Sequence, residues 1–181
     1  ETYREAAADL IRHRRRPALF LDRDGTLNLD RGYTHRADDL VWLPDAIEAI
    51  KYANKSGYYV FVVTNQAGVA RGHYDEQQVQ LFHRAMQQNL LAEGAHVDAF
   101  EWCPHHVDGI IESYRKPCRR RKPCPGMILD LIAAWPIDVG RSLMIGDSAS
   151  DVEAANAAGI KGVRYKGGSL RDLLMNHFKK V

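Results

Sequence analysis

Residues 18–26 read Ala18-Leu19-Phe20-Leu21-Asp22-Arg23-Asp24-Gly25-Thr26, and the fold follows from how this stretch is read. Four apolar residues run without alternation into two acids one residue apart. A short unbroken apolar run suits a strand covered on both faces, which is the parallel-sheet situation. The abrupt change at Asp22 marks its carboxyl end, where open α/β sheets hold their ligand crevice.

The same pattern recurs downstream. Tyr58 to Val63 is β-branched and aromatic and ends at Thr64; Ala99 to Trp102 runs into Cys103; Ser142 to Ile145 ends at Gly146-Asp147; a fifth run lies near Gly162 to Tyr165. Helical spacing fills the gaps. After Pro44, residues Ala46, Ile47, Ile50 and Ala53 share a face that stops at Gly57. Asp75 is placed to cap a helix carrying Val79, Phe82, Met86 and Leu90. Met127, Ile128, Leu131 and Ile132 mark another helix, an Ala-rich one stops at Gly159, and Leu170, Leu173, Leu174 and Phe178 close the chain. Strand–helix alternation with right-handed crossovers predicts an α/β fold, a doubly wound Rossmann-like parallel sheet. The expectation is one domain over residues 1–181, with residues 1–17 as an N-terminal extension and no separate cap domain. The loops Asp30–Tyr33 and Cys103–Pro125 are then left to shape the pocket.

Composition narrows the function classes. With 45% apolar residues in 181, the chain is neither disordered nor fibrous. A net charge of +2 is too small to advertise nucleic acid or membrane. The basic run Arg12–Arg16 reads as a solvated segment, whereas Arg119–Lys122 adjoins the candidate site and suits an anionic substrate. Cys103, Cys118 and Cys124 read as reduced thiols. The longest strongly apolar run, Tyr58–Val63, is far too short to span a bilayer, and no signal segment is recognised. These features lead us to expect a cytoplasmic monomer with a small-molecule substrate and no nucleic-acid or membrane partner.

The chemistry lies at the strand ends. Asp22 and Asp24, Thr64-Asn65-Gln66, Gly146-Asp147 with Asp151, and Lys122 all fall on one predicted edge. Clustered carboxylates repel and raise each other's pKa, and a divalent cation resolves that conflict. A carboxylate nucleophile, a second carboxyl group as acid and base, and a hydroxyl and an ammonium for charge stabilisation together support phosphoryl transfer through an acyl-phosphate. Asp151 reads as a helix cap or a Lys122 partner rather than a metal ligand. His35, His73 and His83 read as solvated or packing residues.

These residues resemble the haloacid dehalogenase (HAD) superfamily of phosphatases. Its Asp-x-Asp-x-Thr motif stands as Asp22–Thr26, its second motif as Thr64, its third as Lys122 and its acidic fourth as Gly146-Asp147 with Asp151. Within that superfamily Leu21–Asn28, Thr64–Gly72 and Arg121-Lys122-Pro123 are similar to the D,D-heptose 1,7-bisphosphate phosphatases, neighbours of the histidinol-phosphate phosphatases. The resemblance implies Asp22 as nucleophile, Asp24 as acid/base, and Thr64 and Lys122 as stabilisers of the transferring group. It implies Mg²⁺ on Asp22, Asp24 (through its carbonyl) and Asp147. Contacts to the sugar or its second phosphate would come from Asp30, Arg31, Gly32, Tyr33, Asn65, Gln66, Ala67 and Arg121. The product would enter nucleotide-activated heptose synthesis.

The chain departs from the family pattern twice. Ser148 stands where a Lys commonly follows the fourth-motif Asp. The family's zinc pattern, Cys-x-His followed by Cys-x-Cys, is met by Cys103, His105 and Cys118, but Arg120 stands at the fourth position. His106 and Cys124 are candidate substitutes that do not match the pattern. Histidinol-phosphate phosphatase and nucleic-acid 3′-phosphatase are the rival activities. A response-regulator receiver, the rival of another class, would need an Asp after the middle strand, where Cys103 stands; a catalytically dead scaffold fits poorly with an intact catalytic set.

Overall fold

A computed structural model of the chain describes residues 15–178. Five strands, β1 (Ala18–Leu21), β2 (Tyr59–Asn65), β3 (Ala99–Cys103), β4 (Leu143–Gly146) and β5 (Lys161–Arg164), form one sheet in the order β3-β2-β1-β4-β5. All four pairings are parallel. The chain steps outward from β1 to β3, then returns to β4 on the other side. The switch between β1 and β4 opens the crevice at the sheet's carboxyl edge.

Among the described residues five helices cover the two faces: α1 (Ala46–Lys55), α2 (Glu76–Ala92), α3 (Gly126–Ala134), α4 (Ala149–Ala157) and α5 (Leu170–Phe178). Strand alternation decides which face each residue feeds. Leu19, Leu21, Val60, Val62 and Ile145 meet α1, α2 and α5 through Ile50, Phe82, Met86 and Leu174. Phe20, Phe61, Val63 and Met144 meet α3 and α4 through Met127, Ile128, Leu131 and Ala155. Most side chains of both clusters are fully buried, and each such Leu, Ile or Phe contributes about 1.5–3 kcal/mol. The stretches between β1 and α1 and between β3 and α3 carry only 3-10 turns as regular helix.

Boundaries differ from the sequence reading by a residue or two, each for a visible reason. β2 runs on through Thr64 and Asn65 because these pair with Trp102 and Cys103 of β3. Ser142 stays outside β4, its Oγ accepting from the Ala18 N–H and donating to the Asp138 carbonyl. Of the basic run, Arg12–Arg14 lie outside the described residues. Arg16 is not merely solvated: it bridges to Ile137, donates to the Gly57 and Tyr58 carbonyls and lies 4.2 Å from the centre of the Tyr59 ring. Among the described residues no helix is long and apolar enough to cross a membrane.

Candidate active site

β1 delivers Asp22 to the crevice, where its N–H donates to the Ile145 carbonyl of β4 at 3.0 Å. Lys122 reaches it from the segment before α3. The buried ammonium donates to Asp22 Oδ1 at 2.6 Å and the Val63 carbonyl at 2.8 Å, and pairs with Asp151 at 2.6 Å. Asn65 fixes the approach of this segment: its amide donates to the Lys122 carbonyl while its Oδ1 accepts the Lys122 N–H, both at 3.0 Å. The end of β2 thus grips the lysine backbone as another strand would.

Opposing charges set the electrostatics. Burial pushes the Asp22 carboxyl up to about 7 against the pull of Lys122, with Asp151 and Asp24 adding to the rise. Burial alone would lower Lys122, but Asp22 and Asp151 hold it above the ordinary lysine value. Asp147 is raised as well, by burial and then by Asp151. Asp22, Asp147 and Asp151 bring carboxylate oxygens within 4.8 Å of one another, opposed by a single ammonium. Such a donor set is undercharged for its carboxylates, and hard oxygen ligands of this kind suit a small divalent cation. Asp151 also accepts from the Ser148 N–H, so it caps α4 and pairs with Lys122 together.

Two glycines make this packing possible. A Cβ on Gly25, at φ +81°, would overlap Asp147 Oδ2, and one on Gly146 would overlap the Asp151 carboxylate. Both positions let main chain and carboxylate touch where no side chain fits.

An open cleft of about 330 Å³ lies over these groups, lined by Asp22, Asp24, Thr64, Lys122 and Asp147. Of the residues expected to touch substrate, Asp30, Gly32, Tyr33, Asn65 and Ala67 also line it. Tyr33 sits at φ +57° with its ring 4.2 Å from that of His73, and Asp30 accepts the Gly32 N–H, so the loop is pinned. Three others, Arg31, Arg121 and Gln66, are not among its lining residues. Arg31 is exposed and does not line the cleft, its N–H donating to Thr34 Oγ1. Arg121 turns to the His105 carbonyl. Gln66 is buried, donating to Asp24 and Thr64 and accepting from Tyr74 and Arg23. Ser148, the departure noted in the fourth motif, and Ser150, which the sequence did not single out, also line the cleft.

Beyond β3, Cys103, His105 and Cys118 bring ligand atoms within 4.8 Å of one another, and neither His106 nor Cys124 joins them. Burial pushes the Cys103 thiol up to about 11. Arg120 pairs with Glu101 of β3 and with Asp130 of α3.

Comparisons with known proteins show the family. The family model described as HAD-hydrolase-like matches residues 119–180. A D-glycero-β-D-manno-heptose-1,7-bisphosphate 7-phosphatase of Rhodopseudomonas palustris is 54% identical over 153 residues, covering 84% of this chain and 85% of that protein. The Escherichia coli K12 protein of the same name is 41% identical over 144 residues, 80% of this chain and 75% of its own. Among solved structures, a HAD-like phosphatase from Mesorhizobium loti superposes with a TM-score of 0.81 at 33% identity, covering 91% of this chain and 87% of that one. The D,D-heptose 1,7-bisphosphate phosphatase of B. bronchiseptica, complexed with magnesium and phosphate, gives 0.75 at 32% identity, with 88% and 86% covered. The chain is a phosphoric monoester hydrolase and belongs to the D-glycero-β-D-manno-heptose-1,7-bisphosphate 7-phosphatase family of HAD-like hydrolases.

Proposed function

We propose that the chain removes one phosphate from a heptose 1,7-bisphosphate through an aspartyl-phosphate on Asp22. The observation that carries this reading is the convergence of Asp22, Asp24, Thr64, Lys122 and Asp147 on one open cleft. A carboxylate oxygen of Asp22 attacks phosphorus, and the bond to the sugar oxygen breaks as Asp24 protonates the departing alkoxide. Water then attacks the aspartyl-phosphate, giving its proton to Asp24 and releasing inorganic phosphate. The Lys122 ammonium, 2.6 Å from Asp22, and the Thr64 hydroxyl offset charge on the transferring group.

Mg²⁺ fits the carboxylate set, with Asp22, Asp147 and the Asp24 carbonyl as its ligands. When bound it supplies positive charge to the phosphoryl oxygens. Asp30, Gly32, Tyr33, Asn65 and Ala67 are the residues proposed to meet the sugar.

Zinc fits the loop after β3 poorly. A closed structural site takes four protein ligands, and here three are gathered while Arg120 is committed to Glu101 and Asp130. We infer that this ion pair, joining β3 to α3, holds the loop in place of a fourth metal ligand.

The test is phosphate release from a heptose 1,7-bisphosphate, histidinol phosphate and a 3′-phosphorylated oligonucleotide, with and without Mg²⁺. Turnover with Mg²⁺ that favours the sugar by at least tenfold supports the reading; preference for either rival replaces the substrate.

A further inference from the structure

Arg23 lies between the two acids of the first motif, yet it is fully buried, and it heads the largest side chains with no exposure. Its guanidinium donates to both oxygens of Asp24, Nε to Oδ1 at 3.1 Å and Nη2 to Oδ2 at 2.8 Å. Nη2 also reaches the Thr34 carbonyl and Gln66 Oε1, and Nη1 meets His83 Nε2 at 3.2 Å. The Phe82 ring lies 4.5 Å below it. Burial, and then the guanidinium itself, keep His83 neutral, so Nε2 is free to accept.

A buried arginine is a poor way to gain stability, because an apolar side chain of that volume usually serves as well or better. What this one does is hold a carboxylate. Among the described residues Asp24 is the single acid it touches, and a fork engaging both oxygens resists rotation of the carboxyl group. We propose that Arg23 is a positioning residue, clamping Asp24 so that its carboxyl group faces the sugar oxygen leaving phosphorus.

The remaining contacts explain how Asp24 exchanges a proton without losing its place. Asn28 Nδ2 donates to Oδ1 and Gln66 Nε2 to Oδ2, so with Arg23 four donors occupy the carboxylate. Two carboxylate oxygens offer about four acceptor sites, so a proton can enter only where one of these bonds opens. The amide donors are neutral and weaker than the charge-assisted fork. They yield first, and the guanidinium keeps its grip in both protonation states.

The inference rests on the acid/base reading of Asp24, and the experiment separates the two. A sugar alkoxide needs a proton to leave; p-nitrophenolate does not. kcat/KM reports only the steps up to release of the alcohol, so it isolates the protonation that Asp24 supplies. Arg23→Lys keeps the charge but loses the fork. Its kcat/KM on heptose 1,7-bisphosphate should fall about 100-fold, with less than about fivefold loss on p-nitrophenyl phosphate. Asp24→Asn should show the same selectivity more strongly. If Asp24→Asn loses both substrates equally, the acid/base reading falls. If Asp24→Asn is selective while Arg23→Lys loses both equally or neither, the clamp is overturned. Should circular dichroism show Arg23→Lys unfolded, His83→Leu decides. It removes the partner of Arg23 Nη1 without touching Asp24, and a selective loss of about tenfold supports the clamp while an equal loss or none rejects it.

Discussion

The cleft at the ends of β1, β2 and β4 and the thiol loop after β3 each gather three metal-ligating side chains within 4.8 Å. Their surroundings differ. In the cleft the acids face an open volume, and one buried lysine leaves them with negative charge to spare. In the loop the gathered groups are two thiols and an imidazole with no carboxylate among them, and the neighbouring acids Glu101 and Asp130 are balanced by Arg120 and Arg119. Proximity of ligand atoms is therefore a weak sign of a metal site; uncompensated charge and open space carry more information.

Breaking the cleft side should have the largest effect. Asp22→Asn should cut kcat by about 10⁴-fold or more, while the melting temperature stays within a few degrees of the parent, as followed by phosphate release and circular dichroism. Retained turnover would remove the nucleophile. Gly25→Ala should follow, with kcat down about 10–100-fold, since its Cβ overlaps Asp147 and its φ of +81° strains any side chain. A parallel fall in Mg²⁺ affinity by titration calorimetry would tie the loss to Asp147, and an unchanged affinity would not.

The loop side is tested by gain rather than loss. The purified protein should carry well under one zinc per chain by elemental analysis, and Arg120→Cys should raise this to one. A full zinc in the parent protein would make Arg120 irrelevant to occupancy.

The smallest effect concerns pH. Asp22 has its folded pKa raised from 3.8 to about 7. Its contribution to stability is thus fully present below the unfolded value and is lost as pH rises through about 7. The metal-free protein should melt a few degrees lower at pH 8.5 than at pH 5.5. Added Mg²⁺, which needs the ionised carboxylate, should protect more at the higher pH. A metal-free melting temperature that rises over this interval would contradict the assigned shift.

Much of the cleft was readable in the chain because its residues follow strands whose apolar runs are unmistakable. Ala18–Leu21 and Tyr59–Val63 announce themselves, and Asp22, Thr64 and Asp147 come after such runs. Arg23, Gln66 and Arg121 were not readable in this way. Their directions depend on distant packing: Phe82 and His83 of α2 receive Arg23, and Tyr74 draws Gln66 inward. Nothing local distinguishes an arginine aimed at solvent from one aimed at the core. Arg120 was legible as a departure, but its pairing with Glu101 and Asp130 needed three-dimensional placement.

The reciprocal amide grip of Asn65 on the backbone of Lys122 has a consequence for how such enzymes diversify. The lysine takes its address from the tip of the central sheet rather than from the path of the preceding chain. Residues 104–117 can then be lengthened, trimmed or exchanged as a cassette without retuning the reaction centre. None of residues 104–117 lines the cleft, so such an exchange leaves the surface that faces the substrate as it was.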